Sequence, residues 1–177
     1  MPLAVTHFVI TVIIFTLIRD FFIKNKKKFP VYYVFLGGLA GLLPDFDFAI
    51  SILLFIFSIN YNAHRTFTHT LFMPLIFFIA SVVTIKLKPF KIKTKIFHYT
   101  TLLWVIGLGI LIHLILDSTI GGYIYPLYPI SNISLGLNFP DYLPDKLIEV
   151  FFPILDAALL IIWISYLEFK HKISSFF

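Results

Sequence analysis

The chain has 177 residues, 59% of them apolar and 13% charged, with 14 Lys and Arg against 9 Asp and Glu for a net charge of +5. Soluble domains run at about 45–50% apolar and about 25% charged, so an ordinary soluble protein and a disordered one are both excluded. There is no cysteine, which removes disulfides, thiolate nucleophiles and Cys-ligated zinc and leaves His, Asp and Glu as the only metal ligands.

A bilayer-spanning helix takes about 20 residues, so roughly five spans use most of the chain, and residues 1–177 read as a single integral membrane domain. Residues 1–18 carry no charged side chain and are followed by Arg19, Lys24, Lys26, Lys27 and Lys28. The positive charge comes after the apolar run, the reverse of a cleaved signal peptide, so a first span with its N-terminus outside is expected. A second apolar stretch, residues 29–44, carries Gly37, Gly38 and Gly41, small residues that let helices approach closely in lipid. It stops at Pro44-Asp45-Phe46-Asp47.

Residues 48–63 are again apolar but short for a span, which predicts a re-entrant or interfacial segment. His64-Arg65-Thr66-Phe67-Thr68-His69-Thr70 then leads into the uncharged residues 71–85, closed by Lys86, Lys88, Lys91, Lys93 and Lys95. Residues 97–116 form a further span, containing His113 and ending at Asp117. The uncharged residues 118–140 are rich in Gly, Pro, Tyr and Asn, which favours an ordered loop at the membrane surface. Tyr123, Tyr125, Tyr128 and Tyr142 are expected as an interfacial belt. A last span, residues 147–167, holds Glu149 and Asp156 and ends near Lys170 and Lys172.

Lys and Arg concentrate in cytoplasmic loops, so the three lysine clusters belong inside, and the charge reports topology rather than a nucleic-acid partner. The expected fold is all-α: a polytopic protein of the cell membrane with about five transmembrane helices plus the re-entrant segment, N-terminus outside and C-terminus cytoplasmic. This topology gathers His7, Asp45, Asp47, His64, His69, His113 and Asp117 at one depth near the outer face, while His98 and His171 fall beside the lysine clusters.

Imidazole and carboxylate are the ligands that zinc, and less selectively manganese or iron, takes in a site without sulfur. His113 and Asp117 are four apart, so one helix face aims both at one ion. His64 and His69 are five apart, about 140° around a helix, and share an ion only if that segment is not helical; otherwise they serve two. After Pro44 an extended conformation is expected to point Asp45 and Asp47 to the same side. Arg65 suits a bidentate grip on phosphate. Thr66, Thr68, Thr70 and Ser118 are candidates to hydrogen-bond the ligands, and Asp156 needs a partner to be tolerated within its span.

At these residues the chain resembles the YdjM-like family of predicted membrane-bound metal-dependent hydrolases. The matching stretches are Thr6-His7, Gly-Leu-Leu-Pro-Asp-Phe-Asp at 41–47, His-Arg-Thr-Phe-Thr-His-Thr at 64–70, and His-Leu-Ile-Leu-Asp at 113–117 followed by Gly121-Gly122 and Pro126. Thr70 stands where the family often has Ser. The family is distantly similar to zinc-dependent phospholipase C, and that likeness implies phosphoester hydrolysis at a metal cluster. The late His and Glu ligands of the phospholipase have no counterpart after Asp117, so one or two ions are expected rather than three.

The leading expectation is a hydrolase in which one or two divalent ions, Zn2+ before Mn2+ or Fe2+, activate water against a phosphoester of a lipid or lipid-linked substrate at the outer face. Arg65 is the expected phosphate grip, and whichever of Asp45 and Asp47 is not taken by metal is the expected proton acceptor. A metal or proton transporter is the rival, predicting ligands at mid-membrane and a second set beyond them. A non-catalytic protein with a structural metal is the third reading, predicting a closed ligand set.

Overall fold

The structure is a computed structural model that describes residues 4–59, 65, 67–92 and 95–173. It is mostly helical. Helix α1 (Ala4–Leu17) is rich in β-branched residues, poor helix formers in water, but in hydrocarbon a single segment satisfies its own backbone only as a helix. A π-helical turn, Ile18–Phe22, extends it. Helix α2 (Val31–Ala40) starts after Pro30 and ends at Gly41; α3 (Phe46–Ile56) starts at Asp45; α4 (Phe72–Val83) runs into a 3-10 turn, Thr84–Lys86. Helix α5 (Tyr99–Leu116) passes into a second π-helical turn, Asp117–Gly121, and α6 (Asp145–His171) closes the chain with Pro153 inside it.

Three segments are long and apolar enough to cross a membrane: Ala4–Phe22, Tyr99–Gly121 and Lys146–His171. Two further spans expected from the sequence, over residues 29–44 and 71–85, are the shorter apolar helices Val31–Ala40 and Phe72–Lys86. At 1.5 Å per residue these reach roughly 15 and 22 Å, less than the roughly 30 Å of hydrocarbon, so the count of five full spans is not met. Helix α3, where a non-crossing segment is expected, has 11 residues, about 16 Å.

The lysine-rich link before α5 forms a hairpin that the hydropathy pattern alone does not announce. Strands β1 (Phe90–Ile92) and β2 (Lys95–Phe97) pair antiparallel, Phe90 opposite Phe97 and Ile92 opposite Lys95. Only Phe90, Lys91 and Ile92 alternate apolar and polar; Lys95, Ile96 and Phe97 do not.

Helix α5 is central, packing on α4, α2 and α1, while α6 packs on α1. Gly109 permits the α2 contact: a Cβ there would stand 2.7 Å from the Ala40 Cβ and 2.9 Å from the Gly37 carbonyl oxygen. Val12, Phe15, Tyr33, Val34 and Val105 fill the core between these helices. The packing brings the start of α1, the end of α2, the starts of α3 and α4 and the end of α5 together at one end of the molecule. At the other end, buried Asp20 accepts from Tyr166 Oη at 2.9 Å and lies 2.7 Å from His171 Nε2.

Candidate metal centre

His7 on the second turn of α1, His69 just before α4, and His113 and Asp117 at the end of α5 are all buried, each with its side chain no more than 2% exposed. Asp45, at the start of α3, is the rim residue, with a side chain 33% exposed. His69 Nε2 stands 3.2 Å from His113 Nε2, 3.3 Å from Asp117 Oδ2 and 3.6 Å from Asp45 Oδ1. His113 Nε2 is 3.6 Å from both Asp45 Oδ1 and Asp117 Oδ2. His7 stacks on His113 with ring centroids 4.0 Å apart, and its Nε2 lies 3.4 Å from Asp117 Oδ1.

The far side of each central imidazole is held by the protein. His113 Nδ1 lies 2.8 Å from the Gly41 carbonyl oxygen, which can only accept, so Nδ1 carries the proton and a neutral ring presents its lone pair at Nε2. His69 Nδ1 donates to Asp47 Oδ2 at 3.1 Å, and Thr68 Oγ1, 3.0 Å from the same nitrogen, donates to that carboxylate at 2.5 Å. Two imidazole nitrogens 3.2 Å apart need a cation between them, a proton on His69 or a metal ion.

The donor set fits a divalent ion. Donors around a tetrahedral zinc at about 2.0–2.2 Å stand roughly 3.3–3.6 Å from one another; His69, His113 and Asp117 are 3.2–3.6 Å apart, and Asp45 is 3.6 Å from both imidazoles. The 3.6 Å separations are too long for hydrogen bonds but right for co-ligands. Two groups, His7-Asp45-His113 and His69-His113-Asp117, can hold a metal ion, each with ligand atoms mutually within 4.8 Å.

The electrostatics favour positive charge. Burial alone would push the His69 imidazolium down, but contacts with Asp117, Asp45 and Asp47 overcome it and hold its pKa up at about 10. At Asp45 burial pushes the carboxyl up, yet the His69 contact and the neighbouring His113 and His7 keep it below its ordinary value.

Six of the eight sequence-predicted site residues, His7, Asp45, Asp47, His69, His113 and Asp117, come together here; His64, like Thr66, lies outside the described residues. The expected extended Asp45-Phe46-Asp47 does not form. Asp45 has helical dihedrals (φ −71°, ψ −6°) and Asp47 sits in the first turn of α3, about 200° further round, so Asp45 faces the imidazoles' Nε2 atoms and Asp47 backs His69. The acidic pair at this helix start also suits the helix dipole.

Arg65, with φ 60°, has other partners than an open phosphate grip. Its backbone N–H donates to Asp47 Oδ2 at 3.0 Å, and its guanidinium donates to Asp117 Oδ2 at 3.4 Å, the Gly121 carbonyl at 2.8 Å and the Tyr123 carbonyl at 3.3 Å. Gly122 lies between those carbonyls with φ 118°, and a Cβ there would come 3.1 Å from the Arg65 Nη1. Asp156 accepts from Thr6, the residue before His7. The Gly41 and Gly121 carbonyls are functional groups that side-chain patterns do not reveal. His98 precedes α5 and His171 pairs with Asp20, both away from the centre.

In comparison with known proteins, the profile of the YdjM inner membrane protein family matches residues 1–172. The chain belongs to this family. No curated protein and no solved structure matches it. As a YdjM-family member with three apolar helices of spanning length, it is an integral membrane protein, and its buried His and Asp groups can hold a metal ion.

Proposed function

We propose that this YdjM-family protein is a membrane-embedded metal-dependent hydrolase acting on a phosphoester of a lipid or lipid-linked substrate. The observation that carries the reading is the convergence of His69 Nε2, His113 Nε2 and Asp117 Oδ2 at 3.2–3.6 Å, all buried, with Asp45 Oδ1 at the rim 3.6 Å from both imidazoles.

His113 belongs to both ligand groups, and with Nδ1 given to Gly41 its one remaining lone pair serves one ion. The two groups are therefore read as a single centre, with zinc the ion that best matches the donors. Such an ion supplies Lewis acidity toward a phosphoryl oxygen and makes water a nucleophile near neutral pH. Within the protein, Asp47 and the Gly41 carbonyl fix the tautomers and orientation of His69 and His113. Asp45, ionised and one-third exposed, is placed to take a proton from water at the rim. Arg65 holds Asp117 against the 121–123 loop.

The same reading takes the centre to the outer face, with the N-terminus outside and the lysine clusters in the cytoplasm. The test is purified protein in detergent assayed against phosphodiester and lipid phosphoester substrates with and without a chelator. Metal-dependent release of product supports the hydrolase; tightly bound metal without turnover supports a structural metal.

A further inference from the structure

The lysine-rich end carries two adjoining cavities that the metal centre does not use. One, of about 420 Å³, is walled chiefly by apolar side chains, among them Ile23, Phe29 and Trp104. The other, of about 280 Å³, is lined by Lys28, His98 and apolar residues of the 85–87 turn. Lys28, Thr100 and Thr101 line both, so the two are halves of one crevice between the π-helical turn after α1 and the start of α5. It lies roughly 18 Å along α5 from His113, counted from Thr101 at 1.5 Å per residue.

We propose that this crevice is a binding site for one anionic glycerophospholipid, its phosphate in the polar half at Lys28 and His98 and an acyl chain in the apolar half against Phe29 and Trp104. Charge complementarity selects this occupant. Lys28 lines both halves with Lys24, Lys26 and Lys27 just before it in the chain, and Ile85 and Leu87, which line the polar half, are followed in the chain by Lys86 and Lys88. On the α1 side, Asp20 is already engaged by Arg19, Lys26, Tyr166 and His171. A zwitterionic lipid leaves that positive field unanswered, and a free anion leaves the apolar half unfilled. Basic pockets between membrane helices hold anionic headgroups by this combination.

The chain has two tryptophans, and Trp163→Phe leaves Trp104 as the only one, 41% exposed at the crevice. The test reconstitutes the full-length Trp163→Phe protein in phosphatidylcholine vesicles doped with lipid brominated on its acyl chains, and reads quenching of Trp104. Brominated phosphatidylglycerol is expected to quench with about a fivefold preference over brominated phosphatidylcholine at equal mole fraction. Lys28→Gln combined with His98→Gln should abolish the preference, Lys28→Arg should keep it, and Lys91→Gln on the hairpin should leave it unchanged. Inorganic phosphate should do no more than chloride at equal ionic strength. Equal quenching by the two lipids, or equal losses for Lys91→Gln and Lys28→Gln, overturns the proposal, and displacement by inorganic phosphate alone reassigns the site to a free anion. None of these readouts depends on the metal or on hydrolysis.

Discussion

The Nδ1 atom of His113 stands 2.8 Å from the carbonyl oxygen of Gly41, the residue that ends α2. A backbone group of one helix thereby sets the proton position on a ligand of another, and the contact exists only because Gly109 lets α2 and α5 close together. Gly109→Val should force the helices apart and cost about 1–3 kcal/mol, as overpacking in a filled core does. Thermal unfolding in detergent and metal analysis should show both stability and metal content reduced.

Metal content itself separates the histidines. His69→Ala, His113→Ala and Asp117→Ala should each lose bound metal, measured by elemental analysis of purified protein. His98→Ala and His171→Ala should retain it, because both lie at the opposite end. Retention of full metal by the His69→Ala, His113→Ala double variant would remove the centre proposed here.

The two aspartates should differ in kind. Asp47→Asn and Thr68→Ala leave the four nearest donors in place and disturb only the support behind His69, so metal affinity should fall by about 10–100-fold without being abolished. Asp45→Asn removes the rim acceptor and leaves His69, His113 and Asp117 in place, so it should lower turnover more than metal occupancy. Equilibrium titration with a competing chelator ranks them.

Arg65→Lys keeps a charge but loses the planar fork that reaches Asp117, Gly121 and Tyr123 together. With Arg65 as a positioning residue, metal affinity and turnover should fall together. An unchanged metal affinity with a raised KM alone would return Arg65 to the role of a substrate grip.

Metal binding should also strengthen with pH. The ion-free site holds a proton on His69 up to about pH 10, and the ion must displace it. Affinity should therefore rise with pH by up to about tenfold per unit and level off near pH 10, measured by the same chelator competition. A pH-independent affinity over that range would mean that His69 is not a ligand.

The side chains that make the centre were legible because helix and charge patterns expose them: His113 and Asp117 one turn apart, the His-Arg-x-x-Thr-His block, and carboxylates at membrane depth. Their division of labour was not. Whether Asp45 or Asp47 faces the imidazoles depends on whether the segment after Pro44 is extended or already helical, and three residues do not decide that. The Gly41 and Gly121 carbonyls are invisible to any reading of side chains, and Arg65's partners follow from them. The number of full spans was not legible, because a polar stop marks where an apolar run ends without saying that the run reaches across the bilayer.

The exposure of Asp45 beside the burial of His7, His69, His113 and Asp117 bears on time as well as on affinity. Among the described residues the ion's way in and out leads past one carboxylate, and the other donors have no solvent of their own to hand it to. Exchange should then be gated: a chelator in the bulk must wait for the ion to escape by way of Asp45, and the rate of metal loss should be set by the protein's motion at the start of α3 rather than by the strength or concentration of the chelator.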